Sequence, residues 1–186
     1  MRNKLLLVAI TTLFTMAAAT AENVPAKAQS CVACHGKQGV SSNPGWPNLA
    51  GQKAGYLAVQ LKAFRDGKRD NPAMAPFVKD LSDADINELS NYYAAKPLSI
   101  SANGDADKVA SGENLSAYCK ACHGMKGIPA APVWPNLAGQ HAPYLQAQLA
   151  AYKSGAREHP HMQTALIPLG DPEFAALAAY FSQLQP

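Results

Sequence analysis

The sequence predicts an all-α chain built from two tandem copies of one small helical domain, and three observations carry that prediction. Apolar residues recur at helical spacing, as in Leu57, Leu61 and Phe64. No stretch alternates apolar and polar residues for long enough to read as a sheet. The block Trp46-Pro47-Asn48-Leu49-Ala50-Gly51-Gln52 returns 88 residues later as Trp134-Pro135-Asn136-Leu137-Ala138-Gly139-Gln140, and a constant offset marks an internal duplication.

Taken in order, the chain begins with Arg2 and Lys4 ahead of an apolar run from Leu5 to Met16 and the small residues Ala17-Ala18-Ala19-Thr20-Ala21. This is the pattern of a secretory signal, expected over residues 1–21 with Glu22 as the new terminus. The run is shorter than the roughly 20 residues that span a bilayer, so a soluble periplasmic protein is expected. The N-terminal domain is expected over 22–98, a linker over 99–105 with Asn103 and Gly104, and the C-terminal domain over 106–186.

A short helix is expected just after Pro25, and a longer one from Ala106 to Tyr118 leading into the second domain. The stretch from Lys53 to Phe64 and its twin with Leu145, Leu149 and Tyr152 read as amphipathic helices, ending near Gly67 and Gly155. The last helix of the first half takes Ser82 as N-cap with Asp85 three residues on, and buries Ile86, Leu89 and Tyr93. Its twin takes Asp171 as cap with Pro172 in the first turn, and buries Phe174, Leu177 and Phe181.

All four cysteines fall in two pentapeptides, Cys31-Val32-Ala33-Cys34-His35 and Cys119-Lys120-Ala121-Cys122-His123, at the same 88-residue offset. In C-x-x-C-H the two thiols form thioethers to a haem and the histidine is placed under the iron. The chain is therefore expected to carry two haem c groups, held by Cys31, Cys34, Cys119 and Cys122, with His35 and His123 as iron ligands. A zinc site wants four ligands in one place, a thioredoxin-like pair wants a strand-to-helix setting, and disulfides leave the two adjacent histidines unexplained. Each domain alone is small enough to be marginal, and a buried haem completes its core.

The opposite face of each iron separates a carrier from an enzyme. Beyond the signal the methionines are Met74, Met125 and Met162. Met74 and Met162 each lie 39 residues after their histidine and two after a proline, so both are expected as the second axial ligand. Core packing is the alternative for a methionine. Met125 is only two residues from His123 and stays tied to the proximal side. His141, His159 and His161 align with Lys53, Asn71 and Ala73, so they read as surface residues.

The Trp-Pro-Asn-Leu-Ala-Gly-Gln blocks read as haem wrapping. The indoles of Trp46 and Trp134 and the amides of Gln52 and Gln140 can reach a propionate, although ordinary packing accounts for them equally well. A carbonyl near Pro47 or Pro135 is the expected acceptor for the proximal imidazole N–H. Arg69 and Arg157 either pair with propionates or cap solvent-facing turns.

With these motifs the chain resembles the dihaem cytochrome c4 family, two class I cytochrome c domains in tandem. The resemblance rests on the two C-x-x-C-H motifs, the twin Pro-Asn-Leu-Ala-Gly-Gln blocks, the twin Tyr-Leu-x-x-Gln-Leu helices and the Asn71-Pro72-Ala73-Met74 and His159-Pro160-His161-Met162 loops. It implies a periplasmic, often peripherally membrane-associated carrier passing electrons towards a terminal oxidase, with two domains related by pseudo-twofold symmetry and their propionates facing across the interface. The donor would be a quinol-oxidising complex or another periplasmic or membrane protein.

The loop after the first motif, Gly36 to Gly45, is glycine-rich, whereas Ile128-Pro129-Ala130-Ala131-Pro132 is apolar and stiff. The two haems are therefore expected to differ in potential. The net charge is +3, and loss of Arg2 and Lys4 leaves +1. There is no basic face for nucleic acid and no small-molecule substrate is expected. Outer-sphere electron transfer is the expected chemistry, without catalysis. The alternatives are the dihaem subunit of a flavocytochrome c sulfide dehydrogenase, or a dihaem oxidoreductase such as a peroxidase or thiosulfate dehydrogenase, which needs an open or unusual iron ligand.

Overall fold

The computed structural model describes residues 24–100 and 105–186. The expected signal peptide and most of the centre of the linker, 101–104, lie outside the described residues. The first half runs through a 3₁₀ turn (Ala26–Ala28), α1 (Gln29–His35), α2 (Ala54–Arg65), α3 (Ala75–Val78) and α4 (Asp83–Ala94). The second runs through α5 (Ala106–Leu115), α6 (Ala117–His123), α7 (Ala142–Ser154), α8 (Pro160–Ala165) and α9 (Asp171–Gln183). The described residues contain no strand.

Each half is organised on its last helix. In the first, α2 packs on α4, and Leu57, Val78, Ile86, Leu89 and Tyr93 form the buried cluster. In the second, α7 and α5 both pack on α9, and Leu145, Leu177, Tyr180 and Phe181 form the counterpart. Fully burying a residue such as Ile86 or Phe174 contributes roughly 2–3 kcal/mol, so these helices are set by packing more than by propensity. α5 crosses α9 closely, since a Cβ at Gly112 would overlap the carbonyl of Ala176.

The helix starts follow their capping chemistry. Ser82 accepts from the Asp85 N–H while the Asp85 carboxylate accepts from the Ser82 N–H, a reciprocal box. At the twin position the cap is Gly170, one residue before the expected Asp171, because Glu173 reaches back to the Gly170 N–H. The single helix expected from Ala106 to Tyr118 is broken at Ser116, whose N–H bonds Gly112 and Glu113 and whose hydroxyl bonds the Glu113 carbonyl. This break separates α5 from α6 and lets the haem motif take its own direction. Two short helices, α3 and α8, follow the Asn71 and His159 turns and have no counterpart in the sequence reading.

The halves meet through their repeated blocks. Asn48 N donates to Gln140 Oε1 at 2.8 Å and Gln140 Nε2 donates to the Asn48 carbonyl at 2.9 Å. The symmetry-related bonds, Asn136 N to Gln52 Oε1 and Gln52 Nε2 to the Asn136 carbonyl, are 2.8 and 3.0 Å. Asn48 Nδ2 and Asn136 Nδ2 complete the set on the carbonyls of Gly139 and Gly51. A glutamine amide can match one donor and one acceptor of a backbone unit at once, so each block pairs with the other much as two strands would.

Candidate haem-binding sites

On α1, Cys31, Cys34 and His35 stand at i, i+3 and i+4, which puts all three on one helical face; Cys119, Cys122 and His123 repeat this on α6. The four thiols are not joined to one another. Burial pushes the Cys31 and Cys119 thiols up from their ordinary value. Each helix ends at a glycine with φ +79°, Gly36 and Gly124, where a Cβ would overlap the carbonyl oxygen of Val40 or Ile128. That turn brings the following loop back against the motif.

His35 Nδ1 lies 2.9 Å from the Pro47 carbonyl, and His123 Nδ1 lies 3.1 Å from the Pro135 carbonyl. A carbonyl only accepts, so Nδ1 must carry the proton and Nε2 keeps its lone pair. Both rings are buried, at 6% and 8% exposure. Desolvation lowers both pKa values, opposed in each case by the carbonyl bond, and His159 adds to the lowering at His123. Neutral imidazoles with a free Nε2, each on a helix with two unpaired thiols, fit a covalently attached haem. The carbonyl contact expected from Pro47 or Pro135 is present in both halves.

Met74 is the N-cap of α3, held by a turn on Asn71, and is partly buried against the first core. Met162 is the third residue of α8 and is likewise partly buried. Met125 is 75% exposed. Trp46 and Trp134 are 41% and 39% exposed. Gln52 and Gln140 are buried with their amides on the backbone of the opposite half. The structure gives these two glutamines an interdomain role that the sequence reading did not anticipate. The physical reason is that each faces a backbone unit that offers one N–H and one C=O.

The sequence reading also missed a second set of cross-domain residues. Arg69, Tyr56 and Gln60 from the first half and Arg157, Tyr144 and Gln148 from the second are linked by hydrogen bonds across the interface. Their signal was available: Tyr56 and Gln60 on α2 recur as Tyr144 and Gln148 on α7, and Arg69, beyond the end of α2, recurs as Arg157 beyond the end of α7. A separate contact between the halves is made by His141, whose Nε2 lies 3.0 Å from the Ser41 carbonyl.

Comparisons with known proteins agree with this architecture. Residues 17–92 match the family described as cytochrome c oxidase, cbb3-type, subunit III, and residues 109–185 match the cytochrome c family. Cytochrome c4 of Pseudomonas aeruginosa is 34% identical over 98% of this chain and 99% of its own length. The chain belongs to the cytochrome c4 family. A thiosulfate dehydrogenase electron acceptor of Thiomonas intermedia is also 34% identical, over 98% of this chain and 91% of its own length. The crystal structure of reduced recombinant cytochrome c4 from Pseudomonas stutzeri superposes with a TM-score of 0.81 at 28% identity, covering 86% of this chain and 95% of that one. As a cytochrome c4, the chain carries two covalently bound haem c groups and is a dihaem electron carrier. Among the described residues no helix is long and apolar enough to cross a membrane.

Proposed function

We propose that this cytochrome c4 works in the periplasm with both irons closed by a histidine and a methionine, His35 with Met74 and His123 with Met162, and delivers electrons to a terminal oxidase. The supporting observation is the identical 39-residue spacing from each histidine to a partly buried methionine at the start of a short helix. Haem c supplies one-electron ferric/ferrous chemistry. The protein's part is to keep Nε2 of each histidine available, hold each methionine sulfur in an apolar setting and exclude water, so that little geometry changes with the charge on the metal. Cys31, Cys34, Cys119 and Cys122 anchor the two groups, and a filled coordination sphere makes outer-sphere transfer the function and catalysis unnecessary.

For the donor, a quinol-oxidising complex is the first reading. A second is favoured by the full-length likeness to a protein named as the electron acceptor of thiosulfate dehydrogenase: the donor would then be that enzyme. A solved thiosulfate dehydrogenase from Marichromatium purpuratum has a region with TM-score 0.75 and 36% identity to this chain, which covers 36% of it. The closed-iron reading is tested with carbon monoxide. The reduced holoprotein is expected not to bind it, while Met74→Ala and Met162→Ala each open one iron; ready binding by the unaltered protein would sink the assignment. Stopped-flow reduction by purified quinol-oxidising complex or thiosulfate dehydrogenase, then oxidation by a terminal oxidase, decides the partners.

A further inference from the structure

The two haem-motif faces share a backbone and differ in chemistry. α1 and α6 are each seven residues long and end at a glycine with φ +79°, so residues 88 apart occupy equivalent places. Two exposed apolar pairs are common to both faces, Val40 with Ile128 and Trp46 with Trp134. At three other places the first half has Ser30, Lys37 and Gly45, where the second has Tyr118, Met125 and Val133. Tyr118 is 70% exposed, Met125 75% and Val133 50%. The first copy is an internal control. The same helix and turn form there with serine, lysine and glycine, so folding does not require the aromatic ring, the thioether or the valine.

These side chains gather around the end of α6. Tyr118 and Cys122 stand at i and i+4, hence on one helical face, and Cys122 is exposed where its twin Cys34 is half-buried. Gly124 turns the chain so that the Ile128 carbonyl packs back against it. The Leu137 and Ala138 N–H groups both bond the Gly127 carbonyl, at 2.8 and 3.2 Å, which closes the loop carrying Val133 and Trp134. Apolar groups left in water around a haem anchor forgo the burial free energy that a partner restores. Tyrosine, tryptophan and methionine are also the residues enriched at the centres of protein interfaces. The charge beside them has one sign. No Asp or Glu occurs between Glu113 and Glu158, and the exposed Lys126 next to Met125 forms no ion pair among the described residues.

We infer that the α6 face of the second domain, centred on Tyr118 and Met125, is the docking surface for a redox protein whose own face is apolar in the middle and acidic at the rim. One electron crosses there between the second haem and the partner's centre. One is oxidised as the other is reduced, and no bond or proton is exchanged. The apolar middle sets how long the complex lasts, while Lys126 aids encounter at low salt. The first domain, with Ser30 and Lys37 at the matching places, lacks that middle. This deepens the carrier reading and rests on it.

The probes are a purified terminal oxidase and a purified thiosulfate dehydrogenase, each mixed with the two-haem holoprotein by stopped flow at about 0.5 M salt, where charge steering is screened. Met125→Lys combined with Tyr118→Ser gives the second face the residues of the first. For the partner that docks there, this should lower the second-order electron-transfer rate constant about tenfold. The loss should shrink at low salt, and the midpoint potentials and absorption spectrum should stay as they were. Lys37→Ser and Val40→Ser in the first domain should leave the high-salt rate unchanged. In hydroxyl-radical footprinting of the unaltered protein, which needs no variant to fold, the same partner should protect Met125 and Tyr118. Electron exchange without that protection, or equal losses from the first-domain variants, overturns the docking surface alone. No exchange with either protein overturns the partner reading and the surface together. Protection by vesicles of anionic phospholipid in place of either protein would assign the face to a membrane. A dimer of the chain abolished by Met125→Lys would assign it to a second copy, and either result overturns the proposal.

Discussion

The two halves repeat each other closely in the blocks through which they pair and diverge where each loop leaves its haem motif. In the first half Ser41 donates its N–H to Asn48 Oδ1 at 2.9 Å and its hydroxyl to the Cys34 carbonyl at 2.9 Å. The twin of Ser41 is Pro129, which has neither donor, and Asn136 Oδ1 is accordingly buried with no partner. A second divergence lies at the start of α2 and α7. Gly55 lets the Pro132 carbonyl come close enough for Tyr56 N to bond it at 3.0 Å, and a Cβ there would sit 2.8 Å from that oxygen. The twin position is Pro143, and beside it lies a cleft of about 470 Å³ lined by Pro44, Ile100, His141 and Gln183 among others. Duplication kept the paired amide contacts of the two repeated blocks; the loops after the haem motifs drifted, and with them the one-sided Tyr56 to Pro132 contact across the interface.

The largest effect should come from breaking the matched contacts. Gln140→Ala and Gln52→Ala each strand a buried N–H and C=O of the facing asparagine, with an expected loss of about 3 kcal/mol in denaturant unfolding of the holoprotein. The two losses should be alike, and a gap of several-fold between them would break the comparison. A smaller effect is expected at the diverged pair. Ser41→Ala should cost about 1 kcal/mol by removing the hydroxyl from Cys34. Pro129→Ser should gain less than about 1 kcal/mol, because the donor restored to Asn136 is partly offset by a freer unfolded chain.

The smallest effect belongs to pH. The Lys27 ammonium and the Ser82 hydroxyl and N–H hold the Asp85 carboxyl down to about 2. A depressed carboxyl contributes stability above its unfolded value near 4, and loses it as pH falls through the folded value. Acid between about pH 4 and 2 should therefore loosen the start of α4, measured by amide hydrogen exchange. Asp85→Asn should already show this at neutral pH and respond less to acid.

Much of this was legible because its causes are local. Helix faces, the Ser82 box, the paired haem motifs and the proline carbonyl under each imidazole follow from neighbours within a dozen or so residues. The break at Ser116 was not legible, since a helix interrupted by backbone bonds to Gly112 and Glu113 keeps its apolar period. Nor was the partner of Gln52 and Gln140. Each amide looks outward from its own block, and the group that satisfies it belongs to the other copy, more than 80 residues away.

The interface bonds between the repeated blocks are all between neutral amides and backbone groups. Dissolved salt screens charges but has little to act on in such bonds. The geometry they fix should therefore be the same in dilute buffer and in brine. Any ionic-strength dependence in how fast this cytochrome passes electrons along can then be credited first to its meetings with other proteins, with the route inside it left unchanged.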